Sequence, residues 1–269
     1  MPELITSTGN PLVKQIRSLR QRKGREETDL FLVEGIHHVG EAVEAGWKIE
    51  TLVYSPDQLT SDFARRLVDE QSRQRVRCAT FTSDLFSAVS EKDNPQGILA
   101  LVQQRHLILD DVISSPQRAQ ERFHFGAALV SPQDPGNVGT ILRTLDAVGA
   151  DGMFLLDGGV DPYHPSSVRA SMGAIFWKPL VQTSFDGFVK WVHIHDCRLV
   201  GSSSHAKTNY RDFAPDGRPT ILLLGSEQKG LLPEQMAFCD TNISLPMKGR
   251  SSSLNLAVAA GILLYSMMK

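Results

Sequence analysis

The chain has 269 residues, of which 41% are hydrophobic and 22% are charged, and its formal net charge is -2. This balance is ordinary for a folded, water-soluble protein and argues against global disorder, and the length suits two α/β domains of the usual size, roughly 100–200 residues each. Because the net charge gives no overall attraction for nucleic acid, binding to nucleic acid would require a local concentration of basic residues.

Cysteine usage and the absence of long apolar runs bear on the compartment. Cys78, Cys197 and Cys239 are widely separated, which predicts reduced core thiols rather than metal ligands or a redox pair. No apolar run approaches the roughly 20 residues that cross a bilayer, and the start Met-Pro-Glu-Leu lacks the pattern of a secretory signal. We therefore expect a cytoplasmic protein with no membrane partner and, because the histidines show no ligand spacing, no metal.

Short apolar runs alternate with helical patterns in the first hundred residues, which predicts a smaller N-terminal α/β domain over 1–105. The predicted elements are strands at 31–33, 51–55 and 98–102 and a helix at 36–45. The pattern weakens over 106–123, which we interpret as a linker. Turn-forming and acidic residues follow one another there: Asp110, Asp111, Ser114, Ser115 and Pro116.

The segment 124–269 predicts a second α/β domain. Its predicted strands are at 127–131, 152–156, 178–181, 198–202, 220–225 and 241–246, and its predicted helices are at 138–148, at 167–173, from 185 onward and at 253–268. Alternating strands and helices favour a parallel sheet with both faces covered. Ligands of such sheets bind where the strands end, so the loops after the strands are the places to look for a site.

The first candidate loop is the segment 134–143 (DPGNVGTILR), directly after a predicted strand. Proline and glycine favour a turn, and Asn137 is suited to be the N-cap of the next helix, so an ordinary strand-to-helix connection explains most of it. Arg143 lies six residues after Asn137 and could project near the same end of the helix. Its guanidinium there could bind a phosphate or a carboxylate.

The second is the segment 224–231 (LGSEQKGL). Gly225 and Gly230 have the outer spacing of a P-loop, but Leu231 stands where the essential lysine would be, which excludes phosphate binding of the ATPase kind. What remains is a glycine turn at a strand end with the acid Glu227 beside it, either a plain surface turn or part of a site.

The third is the segment 245–256 (LPMKGRSSSLNL), which leads into the last predicted helix. Ser253 is suited to be the N-cap of that helix, and its apolar residues suit a core or a dimer interface: Leu256, Val258, Ala259, Ile262 and Leu263. Packing does not explain Asn255 in the first turn, beside a loop rich in glycine and serine.

Together, and in this order, the three segments resemble the sequence motifs of the SpoU, or TrmH-like, branch of the SPOUT RNA methyltransferases, over roughly 127–269. Two departures are mild, Ser226 where asparagine is common and Leu245 where isoleucine is common. The resemblance implies a C-terminal parallel-sheet domain with a trefoil knot, S-adenosylmethionine (AdoMet) as cofactor, and a homodimer that associates through the C-terminal domain. The residues that it implies for AdoMet binding are Gly225, Leu245, Leu254, Met247 and, more weakly, Ser202.

The implied activity is methyl transfer from AdoMet to a ribose 2′-hydroxyl of RNA, with Arg143 activating the hydroxyl. A guanidinium, whose ordinary pKa is above about 12, is a poor base, so we expect Arg143 to bind a phosphate and stabilise the developing alkoxide. Asn137 would position Arg143 or the ribose, and Glu227 would hold the loop or Arg143. Ser253 and Asn255 would orient the hydroxyl and the cofactor loop.

The N-terminal domain carries a basic stretch with few acids, which predicts phosphate contacts, although a solvated helix face is the alternative. Its members are Lys14, Arg17, Arg20, Arg22, Lys23 and Arg25. The segments 10–14 (NPLVK) and 31–35 (FLVEG) resemble the start of the ribosomal-protein-like (L30e-like) substrate-binding domain that precedes many SpoU catalytic domains. This favours a structured RNA as partner, above all 23S ribosomal RNA of the large subunit.

Three other functions compete with this interpretation. A tRNA ribose 2′-O-methyltransferase has the same chemistry, but the additional N-terminal domain argues modestly against it. A noncatalytic RNA-binding or ribosome-assembly factor would not need to keep Asn137, Arg143, Glu227, Ser253 and Asn255 together. A nucleotide-dependent oxidoreductase would need a glycine-rich phosphate loop after the first strand, which the sequence lacks.

Overall fold

The structure is a computed structural model that describes residues 4–113 and 123–268. The chain divides into two compact units, one of Met1–Arg105 with Tyr163–Phe176 and the other of His106–Pro162 with Trp177–Lys269. The sequence did not indicate that Tyr163–Phe176 packs with the first unit. In the predicted linker, Leu109–Val112 form a short 3-10 helix, whereas Ser114, Ser115 and Pro116 lie outside the described residues. The domain boundaries 1–105, 106–123 and 124–269 stay a prediction.

The first unit is built on a five-stranded mixed sheet. Its strands are β1 (Leu4–Ile5), β2 (Leu30–Glu34), β3 (Ile49–Tyr54), β4 (Arg77–Phe81) and β5 (Ile98–Gln103). The order across the sheet is β1-β4-β3-β5-β2, with β1, β4 and β3 parallel and with β5 antiparallel to both β3 and β2. The three strands expected here are present, and β1 and β4 are additional.

The helices of the first unit are α1 (Pro11–Ser18), α2 (Arg22–Thr28), α3 (Ile36–Glu44), α4 (Asp62–Arg73), α5 (Ser83–Val89), α7 (Pro165–Ala170) and most of α8 (Ala174–Trp177). Local sequence explains where some of them begin. Asn10 caps α1 by accepting a hydrogen bond from the Leu12 amide, and Pro11 occupies the first helical position, where no amide hydrogen is needed. The buried side of α1 packs into a core that includes strands and α5.

The second unit contains a seven-stranded sheet in which every described strand pair is parallel. The strands are β6 (Phe125–Val130), β7 (Gly152–Leu156), β8 (Leu180–Thr183), β9 (Arg198–Ser202), β10 (Thr208–Asn209), β11 (Thr220–Leu224) and β12 (Thr241–Ser244), in the order β10-β12-β9-β11-β6-β7-β8. Strands β7 and β11 are buried at every position, as expected where both faces of a parallel sheet are covered.

The helices of this unit are α6 (Pro135–Ala147), α9 (Phe185–Ile194), α10 (Pro233–Met236) and α11 (Leu256–Met267). Helix α11 packs against α6 and β11, and aromatic side chains of α9 join the core beneath the sheet. The predicted fold class, a parallel-sheet C-terminal domain and an N-terminal α/β domain, is confirmed. The trefoil knot stays a prediction.

Two predicted helix caps are wrong. Helix α6 begins at Pro135, and Asp134 rather than Asn137 is its N-cap, with the Asp134 side chain accepting a hydrogen bond from the Gly136 amide. Helix α11 is capped by Asn255 rather than Ser253, and the Asn255 Oδ1 atom accepts from the amides of Ala257 and Val258. The caps matter for the site, because Asn137 is thereby released for a different contact and Asn255 acquires one more function.

The described cysteines only partly match the prediction of core thiols. All three are free, but only Cys197 is fully buried, and Cys78 and Cys239 are partly exposed. Burial and the charge of Asp196 raise the pKa of Cys197 to about 11, so its thiol is protonated at neutral pH. Neither a helix long and apolar enough to span a membrane nor a cluster of three metal-ligating side chains occurs within residues 4–113 and 123–268.

Candidate active site

A cleft of about 880 Å³ opens in the second unit at the carboxyl ends of β9, β11 and β12. Parallel strands point their carboxyl ends to one edge of the sheet, so loops that are distant in sequence meet there. Three loops and the start of α11 form the walls. The lining includes Ser202, Ser203, Ser204, His205, Gly225, Glu227, Lys229, Leu231, Leu245, Met247, Ser253, Leu254 and Asn255.

The cleft brings together most of the residues that the sequence predicted for the site. All five predicted cofactor residues line it, namely Gly225, Leu245, Leu254, Met247 and Ser202. Of the predicted catalytic residues, Glu227, Ser253 and Asn255 also line it, whereas Asn137 and Arg143 do not. The roles assigned to these residues stay predictions, and the contacts below indicate which of them the geometry favours.

Glu227 holds the loop between β6 and α6. Its carboxylate accepts hydrogen bonds from the backbone amides of Gln133 (3.0 Å) and Asp134 (3.2 Å) and from the side-chain amide of Asn137 (3.0 Å). Burial raises the pKa of Glu227, but the hydrogen bonds from Asn137 and from the backbone amides outweigh it, and the pKa lies below the ordinary 4.5. Glu227 is therefore ionised at neutral pH, and its lowered pKa together with the hydrogen bonds that occupy both of its oxygens makes it a weak general base.

Asn137 links the first segment to the third as well as to the second. It is buried, and while its Nδ2 donates to Glu227, its Oδ1 accepts a hydrogen bond of 3.0 Å from the Asn255 Nδ2. Asn255 in turn caps α11 through its Oδ1 atom. The chain of contacts Glu227–Asn137–Asn255 thus joins all three sequence segments through side-chain hydrogen bonds.

This chain of contacts changes two of the predicted roles. The Oδ1 of Asn255 is occupied by the helix cap and its Nδ2 donates to Asn137, so Asn255 is better suited to position the loop than to orient a substrate hydroxyl. Ser253 is exposed, lines the cleft and uses its backbone carbonyl to accept from the Ser251 hydroxyl. Of these two residues, Ser253 is therefore the better candidate for contact with a ribose.

Arg143 is exposed on α6. Its guanidinium contacts neither Asn137 nor Glu227, whose side chains are bound to each other. Six residues turn an α-helix by about 600°, which leaves the two side chains of α6 roughly 120° apart around the helix axis. Asn137 is buried and Arg143 is exposed. Of the predicted alternatives, the contacts favour Glu227 as the residue that holds the loop, and the role of Asn137 toward Arg143 or the ribose stays a prediction.

The glycine turn after β11 is closely packed. A Cβ atom at Gly225 would lie 1.9 Å from the carbonyl carbon of Gly230, so no other residue fits there without moving the backbone. The turn is closed by a hydrogen bond of 2.8 Å from the Gly230 amide to the Ser226 carbonyl and by one from the Lys229 amide to the Ser226 hydroxyl. The second segment is thus a fixed turn that forms one wall of the cleft.

The basic stretch of the first unit is less exposed than the sequence predicted. Arg25 is 1% exposed and donates to the Leu19 carbonyl, so its predicted contact with RNA is wrong. Arg20 is half-buried, donates to the Val89 carbonyl and lies near Glu91.

The other four basic side chains of the stretch are exposed. Arg22 and Lys23 pair with Glu26 and Glu27, one helical turn later, so the stretch does have compensating acids. Contacts of Lys14, Arg17, Arg22 and Lys23 with RNA stay a prediction.

Sequence reasoning assigned no role to two basic side chains of the cleft, Lys229 and His205. Lys229 lies within the second segment itself, between the glycines, and His205 follows the serines after β9. Asp134 was missed as a helix cap although proline at the next position is a known sign of a helix start. These signals were present in the sequence and could have been used.

Comparison with known proteins agrees with this geometry. Residues 125–265 match the SpoU rRNA Methylase family, and residues 10–100 match the MRM3-like substrate binding domain. The first match spans the sheet and the loops of the cleft, so the fold and the site define a SpoU-type methylase preceded by a substrate-binding domain. The chain belongs to the SpoU rRNA methylase family.

Individual relatives extend the similarity over almost the whole chain. A 23S rRNA (uridine(2479)-2'-O)-methyltransferase of Streptomyces viridochromogenes is 35% identical over 93% of this chain and 86% of its own length. A 23S rRNA (guanosine(2553)-2'-O)-methyltransferase of Bacillus subtilis is 30% identical over 97% of both chains. The crystal structure of an AdoMet-bound rRNA methyltransferase from Sinorhizobium meliloti, 34% identical, superposes with a TM-score of 0.88 over 98% of this chain and 96% of that one.

Proposed function

We propose that this protein transfers a methyl group from AdoMet to a ribose 2′-hydroxyl of 23S ribosomal RNA, in the cytoplasm and as a homodimer. The observation that carries the proposal is the hydrogen-bonded chain Glu227–Asn137–Asn255, which joins three distant segments around one cleft in a member of the SpoU family. Two relatives that align over nearly the whole chain are named as 23S rRNA 2′-O-methyltransferases, which supports the ribosomal substrate.

The cleft is suited to AdoMet. Its volume of about 880 Å³ lies in the range of small-molecule sites, roughly 300–1,000 Å³. Leu245, Met247 and Leu254 supply apolar surface for an adenine ring, and Gly225 lines the same cleft. These residues and Ser202 would hold the cofactor, which when bound supplies a methyl group already activated by its sulfonium.

The protein's own residues would then align the ribose and stabilise negative charge on its oxygen. Ser253 would contact the ribose hydroxyl. Glu227, Asn137 and Asn255 would keep the loops in place, and the fixed hydrogen bonds of Glu227 would keep its carboxylate ionised and directed at the loop. Arg143 stays the proposed cation that stabilises the developing alkoxide. Because Arg143 does not line the cleft of one chain, bound RNA or a second subunit would bring its guanidinium and the cleft together.

A homodimer is supported by the apolar character of α11 on all sides. Ala260, Leu263 and Leu264 are buried within the unit, whereas Val258 (51% exposed), Ile262 (38%) and Tyr265 (54%) share the opposite face. Side chains spaced by three and four residues form one stripe along a helix. A second copy of the chain would cover this stripe.

The test is an assay of purified protein with labelled AdoMet and unmodified transcripts of 23S rRNA and of tRNA, followed by identification of the labelled nucleosides by mass spectrometry. The proposal predicts 2′-O-methylated nucleosides from 23S rRNA only. Label in tRNA alone would show that the substrate is tRNA and not 23S rRNA. Label on a base would contradict the proposed transfer to a ribose. AdoMet binding without transfer to naked or subunit-assembled rRNA would favour a noncatalytic RNA-binding protein.

A further inference from the structure

We infer that Lys229, Lys248 and Arg250 form a phosphate-binding rim on the cleft, which holds the RNA backbone on the two sides of the target ribose. This inference rests on the proposed function and goes beyond it, since it names the part of the methylase unit that contacts the substrate's backbone. The three side chains are exposed and come from two different loops, the turn after β11 and the loop between β12 and α11.

Both loops border the cleft. Lys229 itself lines it, and Lys248 and Arg250 lie in a loop whose Met247, Ser252 and Ser253 line it. A ribose that presents its 2′-oxygen to the cleft is bonded to one phosphate through its 5′-oxygen and to the next phosphate through its 3′-oxygen. Cations on loops at the edge of the cleft are therefore placed where those phosphates must lie, and long flexible side chains can follow them.

The three cations lack counter-ions. In the part of the chain that the structure describes, none of them forms an ion pair or a side-chain hydrogen bond. Some other cations of the same unit are neutralised, since Arg218 pairs with Asp216 and Asp240, and Lys178 with Asp146.

The acid nearest in sequence to Lys229 does not neutralise it either. Glu227 forms no ion pair with Lys229 and directs its carboxylate at the amides of Gln133, Asp134 and Asn137. The rim thus keeps its positive charge for an external anion, although the whole chain has a net charge of -2.

The backbone of the turn that carries Lys229 is fixed by hydrogen bonds. This favours a phosphate contact at a defined position over nonspecific attraction to a charged surface. The hydrogen bonds between Ser226 and the amides of Lys229 and Gly230 close the turn, and the backbone at Gly225 packs directly against Gly230. The position of the Lys229 backbone is therefore coupled to that of Glu227, two residues earlier, and through it to the whole site.

The test compares the triple variant Lys229→Gln/Lys248→Gln/Arg250→Gln and its three single variants with Lys190→Gln, which removes one exposed cation of α9 outside the cleft. Glutamine keeps much of the side-chain length while removing the charge. Binding of an unmodified 23S rRNA transcript is measured by filter retention over a range of salt concentrations. AdoMet affinity is measured by calorimetry and folding by thermal melts.

The triple variant should bind RNA at least ten-fold more weakly near physiological salt, and its salt slope should be smaller by about 2 to 3, since each lost phosphate contact removes roughly 0.7–0.9 from the slope. The single variants should lose about two- to five-fold each, on the same argument. AdoMet affinity and the melting temperature should stay close to the parent values, and Lys190→Gln should bind RNA like the parent.

Unchanged RNA affinity and salt slope in the triple variant would overturn the inference, as would a loss no larger than that of Lys190→Gln. A parallel loss of AdoMet affinity would assign the residues to the cofactor site and overturn it too. If the parent protein binds RNA but methylates none, the proposed reaction is wrong. The binding comparison then still tests whether the rim contacts RNA phosphates. If the parent binds no RNA, both fail.

Discussion

The cleft of the second unit and the basic stretch of the first were both predicted from the sequence to bind ligands, and they differ in how well the prediction transfers to the structure. The cleft collects eight predicted residues, seven from the second and third segments and one from the end of β9, and hydrogen bonds of Asn137 tie the first segment to the other two. In the basic stretch, Arg25 is buried, Arg20 binds a backbone carbonyl, and Arg22 and Lys23 pair with glutamates.

The difference lies in the kind of signal. Ordered segments that are distant in sequence can recur together only if the fold brings them to one place, so their combination carries tertiary information. A run of basic residues carries composition alone, and helical periodicity decides afterwards which of them face the core. Arg25 follows Gly24, and both are on the buried side of α2.

The largest effect is expected in the cleft. Glu227→Ala should lower the rate of methyl transfer by at least about a hundred-fold, because it removes the acceptor for three donors and leaves the Asn137 amide and two backbone amides without their partner. Glu227→Gln, which keeps the shape but adds a donor, should recover little. Single-turnover rates with 23S rRNA would measure both, and a rate within three-fold of the parent for Glu227→Ala would show that the loop does not need this anchor.

The next largest effect is expected on stability in the first unit. Arg25→Ala should lower the free energy of unfolding by roughly 2–4 kcal/mol, because a large buried side chain is lost and the Leu19 carbonyl loses a donor. Arg22→Ala, in the same helix but exposed and paired with Glu26 one turn later, should cost less than about 1 kcal/mol. Urea unfolding gives both values, and equal losses would contradict the burial of Arg25.

Asn255 and Ser253 should separate positioning from substrate contact. Asn255→Ala removes the cap of α11 and the bond to Asn137, so it should cost about 1 kcal/mol of stability and lower AdoMet affinity as well as the rate. Ser253→Ala should leave the melting temperature unchanged and lower kcat. Melting curves, calorimetry and kinetics distinguish the two variants. A destabilised Ser253→Ala would indicate that Ser253, and not Asn255, is the N-cap of α11.

The smallest effect is expected within the basic stretch. Lys14→Gln/Arg17→Gln removes two exposed cations and should weaken binding of 23S rRNA about three-fold or more. Arg22→Gln/Lys23→Gln removes two cations that already pair with Glu26 and Glu27, and should weaken it less. Filter binding at a single salt concentration is sufficient, and the opposite order would show that RNA displaces the glutamates.

How much could be predicted from the sequence also follows from particular elements. Strands β6, β7 and β11 are almost entirely apolar, and their prediction is confirmed within two residues at each end. The caps were wrong because several residues that can cap stand close together, Asp134 with Asn137 and Ser253 with Asn255, and tertiary contacts decide between them. The contacts of Asn137 with Glu227 and Asn255 span 90 and 118 residues, which local patterns cannot specify.

Whether the three segments act as one unit is tested most directly by a double-mutant cycle between Asn137 and Glu227, with the methyl-transfer rate on 23S rRNA as the readout. Because their side chains are bonded to each other at 3.0 Å, Asn137→Ala in the Glu227→Ala background should cost much less than in the parent, and the two losses should be clearly non-additive. Additive losses, with each variant still folded, would contradict the account and leave the two residues as independent contributors.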